Sequence, residues 1–437
     1  MNEGVPKGWS QTRLGEVVNL FNGKAGGIGG SWLRVFKTRH VYDGYVRLSN
    51  PAFAPDERAS SIPKGTYLCS GDTLTPNMAH GTIGRVAFVR EAAESWTVDG
   101  QIMVLRPKDG AVVGRYVYDW MSRPESKRLL VNMEKGGAFD ELRGQTHIYR
   151  DDVASIQILL PPVPEQRKIA EVLSSIDDTI EATQGVIDQL HIVKKATMAE
   201  LLTRGLPGRH TRFKQTEIGD LPEQWEVKSV VELASPLPFA CVGGPFGSDL
   251  TTKHYSEAGV PVIRGTNLNG GDRWLTEANF VFVTEQKADE LRRNLAYAGD
   301  IIFTQRGTLG QVARIRMDSR WPRFLLSQSQ MKLTVDDRHI DPDFVTFFFQ
   351  SSIALEMIAR ETVATGIPHI NLGILRAFRV PVPSLAEQRA IVSVLAALEE
   401  HTVVEVELRE HLRLTKSALL SVLLTGELRV TPDPEPA

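Results

Sequence analysis

The chain is poor in cysteine, has no long apolar run and carries no strong excess of either charge. Two cysteines in 437 residues, Cys69 and Cys241, cannot build a disulfide scaffold and lack metal-ligand spacing, which points to a reducing compartment. No apolar stretch approaches the ~18 residues of a membrane span. Met1 to Trp9 lack the apolar core of a secretory signal, so a cytoplasmic protein is expected. The ten histidines include no His-Glu-x-x-His, so no metal site is expected. A P-loop is missing as well: Gly244 to Gly247 is glycine-rich, but no Lys-Ser or Lys-Thr follows it. Nothing marks an Asp…Glu-x-Lys nuclease core. These absences exclude the commonest enzyme classes.

Net charge is −3, against a strongly basic nucleic-acid binder. Its distribution is more informative. Residues 1–160 carry +3 and residues 206–380 are neutral, while 161–205 and 381–437 carry −2 and −4. The acid excess therefore sits between and after two neutral-to-basic segments, which permits DNA binding without demanding it.

What the sequence does hold is a long internal duplication. Leu160-Pro161-Pro162-Val163-Pro164-Glu165-Gln166-Arg167 matches Val382-Pro383-Ser384-Leu385-Ala386-Glu387-Gln388-Arg389, and the Glu-Gln-Arg copies lie 222 positions apart. The same offset relates Leu201-Leu202-Thr203 to Leu423-Leu424-Thr425. Gly71-Asp72 through Gly81-Thr82-Ile83-Gly84-Arg85-Val86-Ala87 echoes Gly299-Asp300 through Gly307-Thr308-Leu309-Gly310-Gln311-Val312-Ala313. Pro6 and Trp9 pair with Pro222 and Trp225, and His147-Ile148 with His369-Ile370. A period this long is a domain duplication, not a solenoid.

After each Glu-Gln-Arg, apolar residues recur at steps of three and four, which predicts a long amphipathic helix. The first stripe includes Ile169, Leu173, Ile176, Ile180, Ile187 and Leu190. The second includes Ile391, Leu395, Leu398, Leu408, Leu412 and Leu419. Prolines punctuate the starts, and Gly205 and Gly426 supply stops. Helices of about 38 residues, roughly 57 Å long, need a partner for one apolar stripe. The simplest is the other copy, in an antiparallel coiled coil. Two similar domains held at fixed separation and related by a pseudo-two-fold axis would suit two half-sites on a duplex.

Between these helices the chain reads as short strands: Gly65–Leu68, Thr82–Val89, Gln101–Leu105, Val260–Ile263, Asp300–Thr304 and Ser329–Thr334. Helices are expected at Val112–Ser122, Asp341–Ser351 and Ile353–Arg360. Fold class is therefore α+β. The expected division is domain 1–160, helix 161–205, domain 206–380, helix 381–426 and a flexible tail 427–437. Trp9, Trp225 and the aromatic runs Tyr116–Trp120 and Phe344–Phe349 read as core, not stacking surfaces.

Several stretches resemble one family. Gly243-Gly244-Pro245-Phe246-Gly247-Ser248-Asp249-Leu250 is similar to the Gly-Pro-Phe-Gly-Ser loop of Type I restriction–modification specificity subunits. Val262 to Asn267, Gly299 to Thr304, Gly307 to Gly310, and Thr365 to Asn371 leading into the proline run and Glu387-Gln388-Arg389 are similar too, in the same order and over nearly the whole chain. The resemblance implies two target-recognition domains separated by the helices, each reading one half of a split DNA sequence. It implies no catalytic site in this chain, two methyltransferase subunits docked on it, and a motor–nuclease subunit. S-adenosylmethionine, ATP and Mg²⁺ would belong to those partners, and none to this chain. The first domain departs from the pattern, with Phe21-Asn22-Gly23-Lys24-Ala25-Gly26-Gly27-Ile28-Gly29-Gly30 in place of the loop and Asn77-Met78-Ala79-His80 where the second has Gln305-Arg306. Unlike domains imply an asymmetric target.

Candidate DNA contacts follow from matched places. Lys37, Arg39 and His40 follow the same strand as Arg264 and Asn267, where Arg suits guanine and Asn suits adenine. Asn77, His80 and Thr82 correspond to Gln305, Arg306 and Thr308. Ser248, Lys253, Thr365 and His369 could reach phosphates. Two other readings stand beside this one. An adaptor of another defence complex could reuse the fold without a methyltransferase partner. An adenine methyltransferase would use Asn50-Pro51-Ala52-Phe53, but no Gly-rich turn between a strand and a helix accompanies that motif, and Pro51 reads as a turn.

Overall fold

A computed structural model describes all residues except 1–4, 28, 43, 47–51, 79–80, 136–145, 269–270, 307, 309, 362–369 and 433–437. The fold is α+β. The chain forms two compact units, one of residues 1–183 and 408–437, the other of residues 184–407. The units cut across the expected segments because each long helix gives one half to each unit. No helix among the described residues is long and apolar enough to cross a membrane.

In the first unit, strand Ser10–Arg13 pairs antiparallel with Gln157–Leu160, closing the domain just before the first long helix. A sheet then runs in the order Val18–Asn22, Ile102–Pro107, Thr73–Pro76, Ala87–Phe88, followed by two further short strands. A smaller sheet places Arg34–Phe36 between Ala52–Phe53 and Trp96–Val98, the last pair parallel. Helices Gly114–Ser122 and Pro124–Asn132 complete the domain.

The second unit repeats the plan. Glu226–Ser229 pairs with Arg379–Val382. A four-stranded sheet runs Cys241–Gly243, Gln330–Leu333, Ile301–Thr304, Val312–Arg314. The other has Val260–Ile263 between Val281–Val283 and Phe324–Leu326, again parallel on the second side. Helices Pro342–Gln350 and Ser352–Glu361 follow. The two domains thus share the order and direction of four strands in one sheet and three in the other; the first unit adds two short strands to the former and the second unit adds two to the latter.

Most strand expectations hold, because runs such as Val260–Ile263 and Ile301–Thr304 are buried along their whole length and so contain no polar alternation. Two do not. Lys64–Thr66 is a 3₁₀ turn, set by Pro63 and Gly65, and within 82–89 only Ala87–Phe88 forms a strand. The three expected short helices are present. Tyr116, Trp120, Phe344 and Phe347–Phe349 are core residues.

The long helices span Val163–Arg204 and Leu385–Leu423. Gly205 stops the first in a left-handed conformation at φ +75°. Within the first unit Asp177 meets Lys416 at 2.6 Å, and within the second Lys194 meets Glu399 at 2.7 Å. Later residues of one helix face earlier residues of the other, so the pair is antiparallel. Asp177 and Glu399 are 222 positions apart, as are Lys194 and Lys416, so the same cross-helix ion pair occurs once in each unit.

Ile169, Leu173, Ile187, Ile391 and Leu395 are buried, and Ile176, Ile180, Leu190, Leu398, Leu412 and Leu419 are half-buried. Leu408 departs from expectation: it is exposed. The helix turn here gives its inward positions to Glu405, Val406 and Arg409, which are half-buried, and the apolar stripe resumes nearer the end with Leu420, Leu423 and Leu424. Each unit's core takes in the start of one helix and the end of the other: Ile169, Leu173, Leu420, Leu423 and Leu424 in the first, Met198, Leu201, Leu202, Ile391 and Leu395 in the second.

The tail is also unlike its expectation. Arg429 makes a two-pronged ion pair with Glu165 at 2.6 and 2.7 Å, and Val430 packs on the first core, so this part of the expected tail, as far as Val430, belongs to the fold.

Candidate nucleic-acid interface

Each domain gathers its loops at one end of its sheets, and the topology requires this. In the second domain, Cys241–Gly243 and Ile301–Thr304 both run antiparallel to Gln330–Leu333, so their C-terminal ends meet at Gln330. Val260–Ile263 and Phe324–Leu326 are parallel and exit together, with Ser327 N donating to Ile263 O at 3.0 Å. The loops beginning at Gly244, Arg264, Gln305 and Ser327 therefore share an edge.

Close packing fixes that edge. A Cβ on Gly244 would lie 1.8 Å from Ser327 O, so only glycine fits. A Cβ on Gly243 would meet Gln305 Oε1 at 3.6 Å, and one on Gly265 would meet Gln330 Nε2 and Gln311 Oε1 at 3.8 and 3.9 Å. Gln305, Gln311 and Gln330 thus converge beneath the loops. Gln330 is fully buried and its Nε2 has no hydrogen-bond partner among the described residues. Arg306, Thr308, Ser248 and Lys253 stand exposed.

The first domain builds the same edge from different side chains. Gly23 N donates to Ile102 O, as Gly244 N does to Gln330 O, and a Cβ on Gly23 would lie 2.1 Å from Val98 O. Asn77 N donates to Gln101 O and Ile148 N to Asn77 O; Gln305 N donates to Ser329 O and Ile370 N to Gln305 O. Lys37 N donates to His40 Nδ1 at 2.8 Å, where Arg264 N donates to Asn267 Oδ1 at 3.0 Å. Asp72 accepts from Cys69 N and Asp300 from Tyr297 N, which explains the repeated Gly-Asp. Gly84 and Gly310, both at positive φ, back onto Val131 and Leu355. The repeated Gly-Thr-x-Gly is in this respect a packing device.

Three candidate contacts turn inward. Asn267 is 1% exposed, and its amide donates to Thr276 O and Ala278 O besides accepting from Arg264 N; no group is left for a base. His40 is buried and caps the 3₁₀ turn Thr38–His40. Asn77 is buried with Nδ2 on Gly100 O. Each was singled out as a polar residue after a strand, and each serves the turn that ends the strand. Arg264 is half-buried and donates to Asn279 O at 2.8 Å. Thr82 is half-buried with its hydroxyl on Met78 O. Lys37 is half-buried and Arg39 exposed. His80, Thr365 and His369 lie outside the described residues, as do Asn50 and Pro51.

Sequence reasoning passed over Asp99, Gln311 and Gln330. Asp99 sits at the place of Ser327, with Gln101 N on its Oδ1 at 3.0 Å. Burial raises its carboxyl above the usual range, against the pull of Gln101 N–H and Lys37. The signal was available: the offset of 228 that aligns the Gly-Asp motifs also aligns Asp99 with Ser327.

The two Glu-Gln pairs lock the helices onto the domains. Glu165 accepts from Trp9 Nε1 at 3.1 Å and Glu387 from Trp225 Nε1 at 3.3 Å. Gln166 Oε1 accepts from Val113 N and Gln388 Oε1 from Asp341 N, while their amides donate to Pro161 O and Pro383 O. Arg167 and Arg389 are exposed.

This duplicated architecture has known counterparts. The model of the Type I restriction modification DNA specificity domain matches residues 6–191 and again 222–413. The chain belongs to that family and carries its domain twice. Among curated proteins it is 24% identical to the Type I restriction enzyme MjaVIII specificity subunit of Methanocaldococcus jannaschii, over 98% of this chain and 94% of that one. It is 26% identical to the putative MjaX specificity subunit of the same organism, over 89% and 86%. Among solved structures, the Type I restriction–modification S subunit from M. genitalium superposes with a TM-score of 0.56 at 15% identity, covering 99% of this chain and 98% of that one.

Proposed function

We propose that the protein is the DNA-reading, non-catalytic subunit of a Type I restriction–modification enzyme. One observation carries this reading: a family domain present twice, with one backbone framework and different polar groups at equivalent loop positions. Gln330, Gln305, Gln311 and Ser327 in one domain stand where Ile102, Asn77, Arg85 and Asp99 stand in the other. Equal frameworks give equal docking, and unequal donors and acceptors read unequal bases, so the target is bipartite and asymmetric.

In the second domain Arg306, Thr308 and Gln305 contact bases, while Ser248 and Lys253 contact phosphates. In the first, Lys37, Arg39 and Asp99 face the duplex. The helix pair sets the spacer. Two methyltransferase subunits dock on the helices, and a restriction subunit joins them in the cytoplasm. Val186 and Leu408 are 222 positions apart, as are Ile192 and Leu414. The first pair is 41% and 44% exposed, the second 63% and 67%. Each unit thus offers one equivalent apolar pair, as two copies of one partner require. S-adenosylmethionine, ATP and Mg²⁺ are held by the partners.

Methylation sequencing of cells with and without this gene tests the reading. A split motif with methylated adenines is expected to vanish on deletion; an unchanged methylome contradicts it. For the complex assembled with its methyltransferase subunits, affinity falls steeply with salt as phosphate contacts release counterions.

A further inference from the structure

We propose that Phe246 is an aromatic wedge that stacks into the base column of the half-site read by the second domain. This rests on the DNA-reading role. Phe246 is 86% exposed, the most exposed large apolar side chain among the described residues. Its loop is built to hold it outward. Gly244 is pinned against Ser327 O, where no Cβ fits, and Pro245 is buried. Asp249 N donates to Phe246 O at 3.1 Å. The Gln328 amide donates to Gly247 O and, at 2.7 Å, to Leu250 O. Gly247 takes a positive φ of 53° to turn the chain back. A loop clamped at both ends has no means of folding its aromatic ring inward.

Position decides the partner. The loop is clamped to the turn 327–328 and adjoins Gln305, so the ring stands on the edge that carries the candidate reading groups. The other strongly exposed apolar residues of this domain's sheets lie at the far ends of the same strands: Leu237 precedes Cys241–Gly243, and Met317 lies against Gly299, before Ile301–Thr304. Lys253 follows the loop and Arg306 follows Gln305, both exposed, as is Asp249 within the loop. A flat aromatic face amid cations and amides fits a base step, which an apolar wedge can open. Among the described residues the matching loop of the first domain is built differently: its exposed aromatic is Trp32, 44% exposed and just before strand Arg34–Phe36. After Gly23 its chain stays on the sheet, with Ala25 N donating to Val98 O and Ala25 buried. The proposal therefore places unstacking by Phe246 in the second half-site.

The test uses the complex of the full chain with its methyltransferase subunits and target duplexes carrying 2-aminopurine at each position of both half-sites in turn. Fluorescence is expected to rise at one step of the second half-site only. Phe246→Ala should abolish the rise and weaken binding roughly 10- to 100-fold with an unchanged salt slope, while Phe246→Trp retains both. No rise at any position, or a rise that survives Phe246→Ala, overturns the proposal. So does a Phe246→Ala chain whose only defect is weaker assembly with the methyltransferase subunits, since the ring would then be a protein contact. If the wild-type complex fails to prefer its target over a scrambled duplex, the DNA-reading role itself falls.

Discussion

The two domains can be compared station by station, because the backbone hydrogen bonds at their loop edges are the same while the side chains are not. The contrast extends to the helix-facing side. In the first unit Arg115 bonds Asp119 and Asp177, and Lys416 completes the group. At the equivalent stations of the second unit stand Asp343 and Phe347. Here Arg273 and Lys194 serve Glu399, Arg314 joins Asp343, and Lys194 and Arg273 lie over the Phe347 ring. The cross-helix pair is kept in both; the residues that neutralise it come from different elements and even reverse sign. The two domains thus hold backbone bonds, glycine contacts and the Trp–Glu–Gln junction in common and differ in where charge is placed.

The comparison can be broken at its junctions first. Glu387→Ala strands the buried Trp225 N–H and His210, which lies 2.7 Å from the carboxylate, and is expected to cost about 3–5 kcal/mol by urea unfolding. Glu165→Ala should cost less, about 2 kcal/mol, because each carboxylate has a half-exposed arginine, Arg429 or Arg209, that returns to water, while the buried His210 stands against Glu387. Equal losses would mean that the two junctions are energetically alike despite their different partners. The cross-helix pairs come next. Glu399→Gln removes the negative charge facing two nearly buried cations, Lys194 and Arg273, and should cost about 2–4 kcal/mol; Asp177→Asn, in a wetter site, about 1–2 kcal/mol. The reverse order would contradict the burial difference.

The smallest effect separates the units by pH. Burial lifts the Asp119 carboxyl to about 7, against the pull of Arg115 and Lys416. The folded chain keeps a proton that an unfolded carboxylate releases near pH 4. Through this group stability therefore falls as pH rises from about 4 to about 7 and is level outside that window. Phe347, at the equivalent station of the second unit, does not titrate. A carboxyl-carbon NMR titration should show a midpoint near 7 that Asp119→Asn removes; a midpoint near 4 would refute the burial argument.

Much of this was legible in the sequence. The 222-residue offset gave away the duplication, and helical periodicity the two long helices, since both are statements about spacing. Glu-Gln-Arg marked the helix starts, although only the fold shows Glu165 and Glu387 accepting from tryptophan. The inward turn of Asn267, His40 and Asn77 was not legible. A polar residue just past a strand suits a base or the turn's own N–H equally well, and only burial separates the two. Leu408 misled because period alone cannot tell a stripe that continues from one that a charged, half-buried turn interrupts.

The most direct test exchanges side chains while leaving the framework intact. In the chain assembled with its methyltransferase subunits, Gln305, Arg306 and Gln311 are replaced by alanine and the methylated motif is mapped. Bases in one half of the target should become degenerate while the other half and the spacer length stay as they were. Degeneracy in both halves, or a changed spacer, would contradict a division of reading between two domains on one shared framework.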